Sequence, residues 1–302
     1  MRKRIVFAGE VMGELRHSES DGDGFAVGFA GDSFNAAVYC KRCLGSNGEV
    51  AYQTRIGHDP LSAGALALAK GEQLDTEAIR YDASRNLGLY AVKTDAAGER
   101  SFFYWREHSA ARTLFQDPKE LDVFAQADII YLSGITLAII GQDQRNKVLD
   151  KVAQLRASDN VAFAFDSNYR PKLWENVQAA RETVSRAWSI TDIALPSVDD
   201  EMALFEEADE QTVLARLRTY GLTQGALKRG SLGPVSLDPA QGDNISFPAA
   251  KTVVDTTAAG DSFNGGFLAA LLQGAPASTC MKAGHDLACE VVGQPGAITP
   301  RT

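Results

Sequence analysis

The chain has 302 residues, 45% of them hydrophobic, and a formal net charge of −9 at pH 7. That length buries a large core and accommodates one large α/β domain or two small ones. The acidic balance argues against nucleic acid or an anionic membrane as the main partner, and no apolar run approaches the roughly 18 residues of a membrane span.

Met1-Arg2-Lys3-Arg4 is a basic flank, but the apolar run behind it, Ile5-Val6-Phe7-Ala8, meets Gly9-Glu10 at once. The run is too short for a signal-peptide core and reads as a first strand, so a cytoplasmic location is expected. Residues 14–30, with the cluster Asp21-Gly22-Asp23-Gly24, read as short strands and a turn. A helix is expected from Phe34 to the stop at Leu44-Gly45. Cys40 and Cys43 form a C-x-x-C within it, a spacing used by zinc and redox sites. On a helix, with no further ligand nearby, these cysteines read as small hydrophobes, as do Cys280 and Cys289.

A strand at 50–56 then precedes a helix from Leu61. Residues 87–94 and 100–106 read as two strands joined by Asp95-Ala96-Ala97-Gly98-Glu99, a hairpin turn sequence. Beyond them strands and helices alternate: strand 129–132 and a helix from Asp143, strand 161–166 and a helix after Trp174, strand 193–196 and a helix from Asp199, then strand 226–229. Repeated βα units imply an α/β fold with a mainly parallel sheet covered by helices on both faces. Right-handed crossovers place a ligand crevice along the C-terminal ends of its strands. Segments 14–30 and 87–106 break the rhythm and are expected to form a small projecting β-sheet, a lid over the crevice. A decorative hairpin or a dimer contact would look the same in sequence, and the lid's aromatic residues suit a homodimer. With no repeat, low-complexity segment or long linker, 1–302 reads as a single domain.

The chemistry concentrates in Val254-Asp255-Thr256-Thr257-Ala258-Ala259-Gly260-Asp261-Ser262-Phe263-Asn264-Gly265-Gly266. Residues 251–254 are expected as a strand end and 263–272 as an apolar helix. The N–H groups of Ala258 to Asp261 would be free at the helix start, where the dipole favours an anion. Asp261 could take a proton from a hydroxyl beside a bound phosphate, or it could simply cap the helix. The small residues around the acid favour phosphoryl transfer. Common nucleotide signatures are missing: there is no G-x-x-x-x-G-K-[ST], the first βα turn Gly9-Glu10-Val11-Met12-Gly13 lacks G-x-G-x-x-G, and the protein-kinase set is absent.

These residues resemble the PfkB, or ribokinase-like, family of carbohydrate kinases along essentially the whole chain. The C-terminal signature D-T-x-x-A-G-D stands as Asp255 to Asp261. The N-terminal one stands as Ala30-Gly31-Asp32-Ser33-Phe34-Asn35-Ala36-Ala37 with Leu44-Gly45, and G-x-D as Gly57-His58-Asp59. The resemblance implies a three-layer αβα fold, Asp261 as catalytic base, and Ala258, Ala259 and Gly260 as an anion hole. It implies ATP and Mg²⁺ as cofactors and leaves a monovalent cation open, although Gln294 in the tail carries no charge for one. Nucleotide contacts would come from Asn168, Arg170, Lys228, Gly230, Ser231, Gly233 and Ala258 to Gly260. The glycines of that loop could equally mark an ordinary hairpin turn, and Lys228 could be a solvated charge.

The family's N-x-x-E motif stands as Ser197-Val198-Asp199-Asp200. Asp200 could hold a magnesium-bound water and Ser197 could merely cap a helix, so no metal ligand is assigned. Ala30 replaces a glycine, and so does Ser62 behind Asp59.

Tyr104 and Arg106 are two apart on a strand and share a face of the lid. Arg170 leaves the end of a core strand in Asp166-Ser167-Asn168-Tyr169-Arg170. Two guanidinium groups reaching one crevice suit a carboxylate or phosphate, although arginines more often make surface ion pairs. Within the family, Gly31-Asp32-x-x-Asn35, Gly88-Leu89-Tyr90, Tyr104-Trp105-Arg106 and Asp166-x-Asn168-x-Arg170-x-x-Leu173-Trp174 are most similar to the 2-keto-3-deoxygluconate kinase subgroup. That similarity implies a sugar-acid substrate held by Gly31, Asp32, Asn35, Tyr90, Tyr104, Arg106, Arg170 and Asp261, and phosphorylated by ATP. A fructokinase-like or ribokinase-like enzyme and a catalytically silent sugar-acid-binding protein are the alternatives.

Overall fold

The computed structural model describes residues 3–17, 24–94, 100–158, 161–240 and 245–301. Most of the lid turns expected at Asp21-Gly22-Asp23-Gly24 and at Asp95 to Glu99 lie outside these residues. The strands are β1 (Lys3–Ala8), β2 (Met12–His17), β3 (Phe25–Ala30), β4 (Gly48–Gln53), β5 (Arg55–Ile56), β6 (Arg80–Tyr81), β7 (Gly88–Thr94) and β8 (Arg100–Trp105). They continue with β9 (Ile129–Ser133), β10 (Ala162–Asp166), β11 (Ile193–Ala194), β12 (Ala226–Leu227) and β13 (Val235–Ser236). The helices are α1 (Asp32–Leu44), α2 (Pro60–Gly71), α3 (Gly134–Ile139), α4 (Gln142–Ser158), α5 (Val177–Ser189), α6 (Val198–Phe205), α7 (Glu210–Thr219), α8 (Ala259–Leu272) and α9 (Ala277–Val292). Among the described residues, no helix is long and apolar enough to cross a membrane.

A five-stranded sheet in the order β11-β10-β9-β1-β4, parallel throughout, forms the middle layer. Its strands are apolar on both faces, as a sheet covered twice requires. Val6, Ala8, Ile130, Leu132, Phe163 and Phe165 point to the side covered by α3 to α7. Ile5, Phe7, Val50, Tyr52, Ile129 and Tyr131 point to the other side, with α1, α2, α8 and α9. This is the expected three-layer αβα order. Helix α8 lies against both α1 and α9 because of its glycine pair. A Cβ on Gly265 would come within 2.8 Å of the Ala36 carbonyl oxygen, and one on Gly266 within 2.9 Å of the Ala283 carbonyl oxygen.

A separate sheet in the order β3-β2-β7-β8 stands off the body. Paired residues share a face, so the register puts Gly28, Glu14, Tyr90 and Tyr104 in one row and Val27, Leu15, Ala91 and Phe103 in a row on the opposite face. The lid is tied down by the G-x-D motif. Asp59 accepts bonds from the N–H groups of Ser62 (3.0 Å) and Leu87 (3.2 Å) and from the Ser62 hydroxyl (2.6 Å), and that hydroxyl in turn accepts from the Gly57 N–H (2.8 Å). Ser62 therefore gives this corner a hydroxyl that glycine could not.

Two local expectations fail. Residues 251–254 form no strand: Val253 and Val254 are exposed, and the Val254 N–H donates to the Val292 carbonyl instead of to a neighbouring strand. Helix α8 begins at Ala259 rather than near Phe263, because Ala258 takes a left-handed conformation (φ 63) and turns the chain into the helix there. A non-glycine residue in that region costs roughly 1–2 kcal/mol, and such strain concentrates at functional sites.

Candidate active site

The C-terminal ends of β1, β9, β10 and β11, the start of α8 and the inner face of the lid surround one cavity of about 1580 Å³. It brings together Gly31, Asp32, Asn35, Tyr90, Tyr104, Arg106, Asn168, Arg170, Lys228, Ala258, Ala259, Gly260 and Asp261. Gly230, Ser231 and Gly233 stay outside its lining. They form the turn between β12 and β13, which pair antiparallel, with φ of 56° at Gly230 and 75° at Gly233. The loop is a hairpin turn in form, and it adjoins Lys228, which does line the cavity.

At the start of α8 the N-cap is Ala258, so Asp261 lies in the first turn and is not the cap. The Ala259 N–H is taken by the Thr256 carbonyl (3.2 Å), so the run of free donors is shorter than expected. The N–H groups of Gly260 and Asp261 have no hydrogen-bond partner among the described residues. Asp255 holds the loop in shape, with one carboxylate oxygen accepting from the Thr257 N–H (2.8 Å) and the other from the Gly296 N–H (2.6 Å). The C-terminal tail thus braces the loop, a long-range contact invisible in the motif.

Asn35 Nδ2 donates to Asp261 Oδ2 (2.8 Å), and Asn168 Nδ2 donates to Asp32 Oδ2 (3.0 Å). Burial, and then the negative charge of Asp32, push the Asp261 carboxyl up to about 7 against the pull of Asn35. Burial also raises Asp32. Gly31 admits no side chain, because its Cβ would lie 2.0 Å from the Glu10 carbonyl oxygen.

Lys228 is buried, not a solvated charge. Its Nζ donates to Asp166 Oδ2 (2.5 Å) and Asn264 Oδ1 (3.1 Å), while Asn264 Nδ2 donates to Asp166 Oδ2 (2.6 Å) and the Tyr131 hydroxyl (3.1 Å). The ammonium lies 3.5 Å from where a Cβ on Gly260 would stand, directly beneath the helix start.

On the lid side, the Tyr90 hydroxyl donates to Glu14 Oε1 (2.6 Å), and burial beside that charge raises the phenol. The Tyr90 and Tyr104 rings lie 5.8 Å apart, and the Arg106 guanidinium sits 5.8 Å from the Tyr104 ring centre. Arg106 is only 7% exposed, yet the aromatic residues before it are open to solvent. What buries its charge is an ion pair with Glu10, which sequence reasoning missed. The one available signal was an acid directly behind the first strand. Arg170 instead makes the ion pair that is usual for arginine, with Nη1 3.0 Å from Asp200 Oδ1. Ser197 lines the cavity but makes no side-chain cap bond to α6.

The model of the pfkB family carbohydrate kinases matches residues 2–302. The chain belongs to this family. It is 38% identical to the 2-dehydro-3-deoxygluconokinase of Dickeya dadantii (strain 3937), over 99% of this chain and 97% of that protein. It is 37% identical to the 2-dehydro-3-deoxygluconokinase of Haemophilus influenzae, over 98% of this chain and 95% of that protein. Among solved structures, the fructokinase of Vibrio cholerae O395 with fructose, ADP and calcium superposes with a TM-score of 0.84 at 24% identity, covering 98% of this chain and 95% of that one. The last likeness speaks for the fold alone. As a pfkB carbohydrate kinase, the chain is a sugar-phosphorylating enzyme whose cavity lies where this sheet architecture places ligands.

Proposed function

We propose that this kinase transfers a phosphoryl group from ATP to the 6-hydroxyl of 2-dehydro-3-deoxy-D-gluconate, giving 2-dehydro-3-deoxy-6-phospho-D-gluconate and ADP. One observation carries the choice of an acid: the buried Arg106 guanidinium stands at the lid end of the same cavity that holds Asp261. A neutral sugar has no use for a buried cation, whereas a carboxylate does. Full-length relatives at 36–38% identity, all 2-dehydro-3-deoxygluconokinases, support the same reading.

Arg106 would receive the substrate carboxylate beneath Tyr90 and Tyr104. Asp32, held by Asn168, would accept from the sugar hydroxyls, beside Gly31 and Asn35. Asp261, aimed by Asn35, takes the proton of the terminal hydroxyl as its oxygen bonds to phosphorus and the bond to the ADP oxygen breaks. The partnerless N–H groups of Gly260 and Asp261, the helix dipole and the Lys228 ammonium below stabilise the transferring group. Asn168, Arg170 and Ala258 to Gly260 would border the nucleotide phosphates, with the turn of Gly230, Ser231 and Gly233 next to Lys228 on the nucleotide side.

A phosphate group fits this helix start. A divalent ion fits only as a largely hydrated one, because Asp200 is already paired with Arg170 and no cluster of three ligands exists among the described residues. Mg²⁺, when bound, would neutralise charge on the nucleotide phosphates, with Asp200 holding one of its waters. The exposed row of Val27 and Phe103 on the outer lid face suits a second copy of the chain, forming a homodimer.

The test is an ATP-coupled assay across 2-dehydro-3-deoxygluconate, 2-ketogluconate, fructose and ribose. Acids should be turned over preferentially, and Arg106→Ala should cut kcat/KM for the acid by about a hundredfold while leaving fructose nearly unaffected. Turnover of neutral sugars alone would overturn the substrate assignment.

A further inference from the structure

The cavity holds three matched ion pairs: Lys228 with Asp166, Arg170 with Asp200, and Arg106 with Glu10. Asp32 and Asp261 are held by neutral amides. The chemistry proposed above uses every charged member of these pairs except Glu10 and Asp166, and Asp166 already anchors Lys228. Glu10 is 1% exposed, and one carboxylate oxygen, Oε1, has no hydrogen-bond partner among the described residues. Gly88 is the notch that admits it, since a Cβ there would lie 2.8 Å from Glu10 Oε1 and 3.3 Å from the Arg106 Cβ.

Resting on the reading that Arg106 takes the substrate carboxylate, we propose that Glu10 is a positioning residue that holds the Arg106 guanidinium at the lid end of the cavity and thereby sets the preference for acids. An arginine side chain is long and rotates freely, and a buried guanidinium without a partner moves to the nearest uncompensated carboxylate. Asp32 lines the same cavity without an ion-pair partner among the described residues, and the Arg106 charge already acts on it. An Arg106 drawn onto Asp32 would both abandon the carboxylate subsite and occupy the group meant for sugar hydroxyls. Glu10 engages Nη2 only. Arg106 Nη1 makes no hydrogen bond among the described residues and, unlike the sealed Nε, is not shut off from the cavity, which leaves it for the substrate.

The test is steady-state kinetics with 2-dehydro-3-deoxygluconate on Glu10→Ala, Glu10→Gln, Arg106→Ala and the double variant Glu10→Ala/Arg106→Ala. Glu10→Ala should raise KM about tenfold or more with kcat changed by less than about threefold. Glu10→Gln, which keeps an acceptor oxygen, should recover most of that loss. Because Glu10 acts through Arg106, the double variant should match Arg106→Ala alone. It also leaves no unpaired buried charge, so it keeps the question open to measurement if Glu10→Ala does not fold. A double variant several-fold worse than Arg106→Ala would overturn the proposal, showing that Glu10 acts on its own. An unchanged KM in Glu10→Ala, with a raised KM in Arg106→Ala, would overturn it while leaving the carboxylate subsite standing. An unchanged KM in Arg106→Ala would remove the subsite and the proposal together.

Discussion

Replacing Asp261 with asparagine should make the protein more stable and inactive, with a pH dependence that identifies the cause. Burial first, and the Asp32 charge second, raise the Asp261 carboxyl from 3.8 to about 7. A rise of that size corresponds to roughly 4 kcal/mol against the charged form. The folded chain keeps a proton that the unfolded chain has released, so this group lowers stability as pH climbs from near 4 to near 7, and the loss is complete above that window. Asparagine carries no charge and still offers Asn35 an oxygen to donate to. Water reaches the half-buried side chain, so the expected gain at pH 8 is about 1–3 kcal/mol, shrinking to nothing near pH 4. Urea unfolding of the ligand-free wild type and Asp261→Asn at pH 4, 6, 7 and 8 measures it directly. A gap that does not change with pH, or a variant less stable than wild type at pH 8, would refute the reasoning. Loss of turnover in the same variant would add the expected opposition between stability and activity.

Lys228→Met should cost about 3–5 kcal/mol by leaving Asp166 charged and alone in the interior, and adding Asp166→Asn should restore part of that loss; equal stability of the single and double variants would contradict the buried pair. For the outer lid face, sedimentation should show a dimer that Phe103→Asp converts to monomer, and an unchanged mass would remove the lid as the contact.

The fold was largely legible because its signals are local. Apolar runs of strand length alternating with helical periods, and the interruption at 14–30 and 87–106, follow from side-chain patterning alone. The short α3 went unseen because Gly134 to Ile139 has too few residues to show a helical period. The expected strand at 251–254 misled for the opposite reason: valines favour strands, but no strand among the described residues pairs with these, and the tail at Val292 takes the Val254 N–H instead. Motif residues converged on one cavity because the C-terminal ends of parallel strands meet there. The Gly230 to Gly233 turn did not, since a glycine reports backbone freedom and not what lies opposite it.

Sequence by itself determined the layered α/β architecture, the small residues around Asp261 and the positions from which Arg106 and Arg170 could reach a ligand. Only the tertiary structure decided which charges neutralise each other. Glu10 pairs with Arg106 across 96 residues and Asp166 with Lys228 across 62, while Asp32 and Asp261, 229 residues apart by their numbers, feel each other's charge and have no ion-pair partner among the described residues. Coulomb energy depends on distance and burial, which chain connectivity does not specify. That is why the same arginine could read as a surface ion pair in sequence and stand as a buried cation in the folded kinase.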